Sequence, residues 1–172
     1  MTIHSEHPFL EPESERDPVR RLRGRLGGAV TLWTAGDADE RTGLTVSSLM
    51  VAAGDPGRVL GLVDPDSDLA EALQRTGRAV VHLLGWEHRD LADAFAGVAP
   101  APGGPFRLGH FEQTPWGPRL TDAETWVGVS LESAVDVGWS SLVTCVVDEV
   151  ALGDDAPPLV HRRGRYHRPA PG

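Results

Sequence analysis

The run Gly43-Leu44-Thr45-Val46-Ser47-Ser48-Leu49-Met50-Val51 carries three side-chain hydroxyls in a stretch entered by a glycine. A hydroxyl both donates and accepts, and extended backbone can offer N–H groups beside it, so such a ribbon can hold a flat polar ring. The same composition fits an ordinary strand with a Thr/Ser-rich outer face, and the residues alone leave both readings open. A second place for chemistry is Asp64-Pro65-Asp66-Ser67-Asp68-Leu69. Asp66 or Ser67 can cap a helix there, and the first N–H groups of that helix suit an anion. Three carboxylates crowd the same turn, and they repel a phosphate unless an arginine intervenes. They equally favour the helix dipole. Arg58, Arg75 and Arg89 are the candidate compensating charges.

Other chemistries are disfavoured by spacing. His82 and His88 lie six apart, as do His161 and His167, and no cysteine pair accompanies them, so no metal site is expected. His82, within a run of β-formers, reads as a core or pocket histidine. His167, beside Tyr166, is a candidate ligand contact. No G-x-S-x-G elbow, P-loop or dinucleotide glycine pattern occurs. Cys145 is the sole cysteine and sits in an apolar run from Leu142 to Val147, which excludes an intrachain disulfide and suggests a packed thiol in a reducing compartment. The net charge of −9 argues against nucleic acid and anionic membrane as partners, although all sixteen basic residues are arginine. No apolar run approaches the roughly 20 residues of a membrane span. Residues 1–16 read as a polar, acidic leader without a signal-peptide core, and the chain reads as cytoplasmic.

The elements that must position these residues follow from periodicity and punctuation. At 172 residues and 40% hydrophobic composition the chain fits one globular domain. The expected division is a leader over 1–16, a domain over 17–168 and a tail over 169–172. Asp17-Pro18 starts a helix whose apolar positions are Val19, Leu22 and Leu26, and Gly27-Gly28 ends it. Extended segments are expected over 29–34, 44–52, 58–63, 79–84, 126–137, 142–150 and 159–166. Short helices are expected around Leu69–Leu73, stopped by Gly77, and over His88–Phe95. Residues 97–118 read as a long Pro/Gly-rich loop. Strands outnumber helices without regular alternation. The fold class is therefore mainly β, a partly closed antiparallel barrel with short peripheral helices.

Gly43 to Leu49 resembles the G-x-T-x-S-S-F segment of flavin reductase-like proteins, with Leu49 in place of the aromatic. Asp55-Pro56 before an apolar strand, Ala79–Leu84 followed by His88–Ala96, and Pro158–Tyr166 resemble three further family elements in the same order. The resemblance covers roughly Asp17 to Arg168. It implies an FMN-binding split barrel, a homodimer with flavin near the subunit interface, and reduction of free flavin by NAD(P)H, often for a partner monooxygenase. FAD and riboflavin are alternative flavins. It further implies that Thr45, Val46, Ser47, Ser48 and Leu49 face the flavin ring, that Ser67 lies near the phosphate, and that His82, Tyr166 and His167 line the pocket. The family's Gly-Asp-His stretch, associated with nicotinamide, corresponds to Gly138-Trp139-Ser140, where only the glycine matches. Trp139 then either stacks on a ring or packs between subunits. No catalytic acid or base stands out, which suits a cofactor that does the redox chemistry itself. Three readings stay open: an NAD(P)H-dependent flavin reductase, a flavin-holding module without turnover, and a cofactor-free interaction protein.

Overall fold

The computed structural model describes residues 17–170. The expected leader over 1–16 and the last two residues of the expected tail lie outside them.

Helix α1 spans Pro18–Leu26. Asp17 caps it by accepting the Val19 N–H at 3.0 Å, and Gly27, at φ 67, releases the chain. Then come β1 (Gly28–Ala29), β2 (Thr31–Ala35), β3 (Thr42–Val46), β4 (Leu49–Ala52) and β5 (Arg58–Val63). Helix α2 (Asp68–Thr76) is capped by Ser67 and closed by left-handed Gly77. Next are β6 (Arg78–Leu83) and helix α3 (Arg89–Phe95), then the short strands β7 (Phe111–Thr114) and β8 (Gly117–Leu120). The twelve-residue strands β9 (Trp126–Val137) and β10 (Ser140–Ala151) form one long hairpin. Strands β11 (Val160–Arg162) and β12 (Arg165–His167) close the described chain.

Seven strands form an antiparallel sheet in the order β3-β2-β6-β9-β10-β5-β4. Strands β3 and β4 are consecutive in sequence yet occupy opposite edges, joined only by Ser47 and Ser48. In a flat sheet those edges would stand about 29 Å apart. The connection from Val46 to Leu49 can reach only about 11 Å. The sheet must therefore curl until its edges nearly meet, which is the split barrel expected from the sequence.

Trp33, Val59, Leu69, Leu73, Val143 and Cys145 fill the interior of this curl. Burial pushes the Cys145 thiol up to about 12, so it packs as a small hydrophobe. Gly61 lies under the Trp33 ring, where an added Cβ would sit 2.9 Å from it. A second cluster, with Leu32, Leu84, Leu91, Phe95 and Leu120, packs outside the curl beneath α3. Among the described residues no helix is long and apolar enough to cross a membrane.

Three expectations about elements need correction. The segment read as one strand over 44–52 breaks at Ser47-Ser48, because its halves pair with different neighbours, β2 and β5. The loop read over 97–118 contains most of the β7–β8 hairpin; Pro118 within it reads as a strand breaker, yet it pairs opposite Gln113 on a two-stranded ribbon. The segment read as one extended stretch over 159–166 folds back at Arg163-Gly164 into the β11–β12 hairpin. The apolar residues of α1, Val19, Leu22 and Leu26, are 70%, 60% and 75% exposed.

Candidate functional site

The break between β3 and β4 leaves backbone outside any ladder. The Ser48 carbonyl accepts the Leu62 N–H at 2.9 Å, and the Ser48 hydroxyl meets the Leu62 carbonyl at 3.2 Å. Among the described residues the peptide N–H groups of Ser47 and Ser48 and the Ser47 hydroxyl have no hydrogen-bond partner, and both residues are exposed. A buried linker could not tolerate this, since unpaired N–H groups away from water are costly. An exposed one offers three donors in a row to the polar edge of a ring.

Register places other candidate residues at the same end of the sheet. Ser48 bonds to Leu62, Val63 lies opposite Ser141, and Ser140, one residue further on, is the β10 end that borders the β9–β10 turn. Gly138, at φ 56, and Trp139 form that two-residue turn, and Trp139 is 89% exposed. Ser67 follows Val63 by one short turn. On the other side, Gly28 abuts the linker so closely that an added Cβ would fall 2.5 Å from the Ser47 carbonyl oxygen. Gly28 pairs with His161, and His161 with Tyr166. Tyr166 is half-buried; burial first, and then the adjacent Asp93 carboxylate, hold its phenol above the ordinary tyrosine range. His167 is exposed on the outer strand of that small sheet.

Other expected ligand residues are engaged elsewhere. The Thr45 hydroxyl donates to the Ala92 carbonyl at 2.6 Å, tying β3 to α3, so it does not face the linker's open side. Val46 is 3% exposed, its side chain in the core and its carbonyl bonded to the Thr31 hydroxyl. Leu49 packs against the barrel interior. His82 is completely buried. Its Nε2 accepts the Leu120 N–H at 2.9 Å, which leaves Nδ1 as the donor to the Leu32 carbonyl at 2.8 Å. Both ring nitrogens are thus engaged, and burial pulls the ring down to about 4, so it stays neutral. It pins β6 to β2 and β8 and has no nitrogen left for a ligand.

The anion end also differs from expectation. The Ser67 hydroxyl donates to the Asp64 carbonyl at 2.7 Å and accepts the Ala70 N–H at 3.2 Å, so it serves as a helix cap. The Asp66 N–H is bonded to the Asp64 carboxylate. The three candidate compensating arginines lie elsewhere. Arg58 grips Glu132 through two 3.0 Å bonds, Arg75 pairs with Glu40 at 3.0 Å, and the Arg89 guanidinium stacks 3.8 Å from the Trp86 ring centroid. The linker presents open donors, whereas the turn over 64–68 presents carboxylates that no arginine of the same subunit offsets.

A cross-strand row leads away from the linker over the outer face: Ser48, Leu62, Leu142 and Val135 lie side by side on β4's edge, β5, β10 and β9. Met50, 66% exposed, flanks it. Sequence reasoning missed Gly28 and Asp93 as neighbours of this end. Gly28 was legible only as half of a helix-stopping Gly-Gly pair, and nothing in the local pattern marks Asp93.

A family model described as flavin reductase like domain matches residues 23–170. The chain belongs to that family. It is 31% identical over 157 residues to the NADH-dependent FMN reductase AsuE2 of Streptomyces nodosus subsp. asukaensis, covering 90% of this chain and 85% of the relative. It is 29% identical to the FMN reductase (NADH) RutF of Ancylobacter novellus, covering 91% and 86%. Among solved structures, the flavin reductase of the styrene monooxygenase from Pseudomonas putida S12 superposes with a TM-score of 0.78 at 24% identity, covering 90% of this chain and 99% of that one. That likeness establishes the shared split-barrel fold of this flavin reductase-like chain.

Proposed function

We propose that this chain is an NADH-dependent flavin reductase that binds FMN at the Ser47–Ser48 linker. The observation that carries the reading is the linker itself: two free peptide N–H groups and a free hydroxyl, exposed at the sheet end where the β9–β10 turn and the Tyr166 strand converge. The names of its relatives as NADH-dependent FMN reductases support the donor and the flavin. Bound FMN supplies the hydride chemistry. The protein's part is to orient the ring by the linker donors, to leave one face open beside Trp139 and Ser140, and to bring nicotinamide to it. The functional unit is the domain over 17–168, working in the cytoplasm as a homodimer. The apolar outer row running from Ser48 to Val135 supports pairing, since such faces on soluble proteins mark contact surfaces. A flavin-consuming monooxygenase is the natural recipient, as the styrene monooxygenase neighbour suggests.

The test is a titration with FMN followed by visible absorbance, with NADH and NADPH consumption measured against FMN, FAD and riboflavin. FMN binding and NADH turnover are expected. Ser47→Trp and Ser48→Trp should abolish FMN binding while leaving the thermal unfolding transition in place; normal binding by both removes the linker from the site. Trp139 and Ser140 at the expected nicotinamide position favour one second reading, a flavin holder without turnover. Tight FMN binding with no consumption of either nicotinamide would establish that one.

A further inference from the structure

We propose that helix α1 carries a second ligand site, separate from the linker: the hollow between Arg21 and Arg25 takes the phosphate of a small organic phosphate monoester, whose body rests on Pro18 and Leu22.

Positions 18, 21, 22 and 25 fall at i, i+3, i+4 and i+7, so their side chains share one face of the helix. Among the described residues these four line a hollow of about 210 Å³. Arg21 is the informative member. Among the described residues its Nε is the one buried side-chain nitrogen or oxygen with no hydrogen-bond partner. A desolvated cationic nitrogen without an acceptor is costly. An oxyanion in the hollow removes that cost, because a guanidinium meets it with two parallel N–H donors, Nε–H among them.

Charge decides which oxyanion. Arg21 and Arg25 sit one turn apart, Arg20 and Arg23 lie on the same helix, and no carboxylate occurs from residue 18 to residue 26. Asp17, next to Pro18, is occupied in capping the helix, where it accepts the Val19 N–H. The terminal hairpin brings further arginine alongside: the Arg162 Nε donates to the Arg25 carbonyl at 3.0 Å. In a chain whose net charge is −9, this helix is a local positive field, and it draws anions that the rest of the surface repels. Two guanidiniums without a countercharge match a dianion better than a monoanion. A phosphate monoester carries about −1.5 to −2 near pH 7, whereas a carboxylate carries a single charge.

The remaining lining is apolar and sets the rest of the ligand. Pro18 and Leu22 offer a surface to a small alkyl or aryl body, and Leu22 is 60% exposed. A bare phosphate ion would leave that surface wet. The hollow is smaller than the roughly 300 Å³ at which sites for drug-sized ligands begin, which limits the body to about one ring and excludes a flavin ring system.

The test is calorimetric titration of the natural chain with phenyl phosphate, inorganic phosphate and phenol. Phenyl phosphate should bind saturably, with a Kd of about 1 mM or tighter, and inorganic phosphate about tenfold more weakly. Phenol should not bind. Arg21→Met and Arg25→Met keep an apolar stem and lose the guanidinium, and each should weaken phenyl phosphate by about tenfold or more. Arg20→Met, outside the hollow, should leave its affinity unchanged. Thermal unfolding checks that each variant is folded; if Arg21→Met is not, Arg25→Met decides, since Arg25 is exposed. Ser47→Trp separates this site from the linker, and phenyl phosphate should bind that variant as it binds the natural chain. Four results overturn the proposal: no saturable binding, natural affinity in the folded Met variants of Arg21 and Arg25, inorganic phosphate binding as tightly as phenyl phosphate (an adventitious ion only), or loss of binding in Ser47→Trp. No arm of the test uses flavin, so failure of the flavin reading leaves it intact.

Discussion

Acidification should destabilise this protein chiefly through one buried residue, His82. In the folded chain both of its nitrogens are bonded to backbone and the ring is held neutral, with burial the main cause of its fall to about 4. In the unfolded chain the same ring titrates near 6.5. Above 6.5 neither state takes a proton, and the contribution of His82 to stability is fully present. As pH falls from 6.5 towards 4, only the unfolded chain gains the proton, and that contribution is progressively lost. At about 1.4 kcal/mol per pH unit, the gap between 6.5 and about 4 amounts to about 3 kcal/mol. That is a large part of the total for a domain of this size. The assay is urea unfolding at pH 7.0, 6.0, 5.0 and 4.5, comparing the natural chain with His82→Gln. The variant is expected to be less stable at pH 7, because glutamine cannot meet the Leu32 carbonyl and the Leu120 N–H with the same geometry. Its stability should fall less steeply with pH, the two curves converging by about 2.4 kcal/mol between pH 7.0 and 4.5. Parallel curves would refute the reasoning, since the pH dependence would then belong to other groups.

Two further expectations concern the linker and its neighbours. Gly28→Ala places a carbon against the Ser47 carbonyl and must push the linker by several tenths of an ångström, so FMN affinity should drop about tenfold, or about 1.4 kcal/mol, in a titration, with thermal stability reduced as overpacking predicts. Thr45→Val removes the hydroxyl that ties β3 to α3 and should cost about 1 kcal/mol in urea unfolding while leaving FMN affinity unchanged.

The backbone plan was largely legible where local chemistry and tertiary role agree. Asp17, Ser67 and Gly77 cap the helices that their types announce, and the alternation from Trp126 to Val137 marks β9 to the residue. Legibility failed where partners are distant in sequence. Nothing local in Leu44–Ala52 says that its two halves pair with strands at opposite ends of the sheet. Composition shows that Thr45, Ser47 and Ser48 carry hydroxyls, but only the curl decides that the first turns towards α3 and the others remain open. The apolar stripe of α1 was legible as a pattern, but period 3.6 records a face that wants cover without saying what supplies it.

The two-residue span between β3 and β4 closes the barrel and carries the open donors at once. Most enzymes vary their chemistry by lengthening or reshaping loops that hang free of the scaffold. Here the seam is the scaffold, and one inserted residue would slip the register of both flanking strands. Variation within such a framework is therefore displaced to what surrounds the seam: the capped turn before α2 and the tip of the long hairpin.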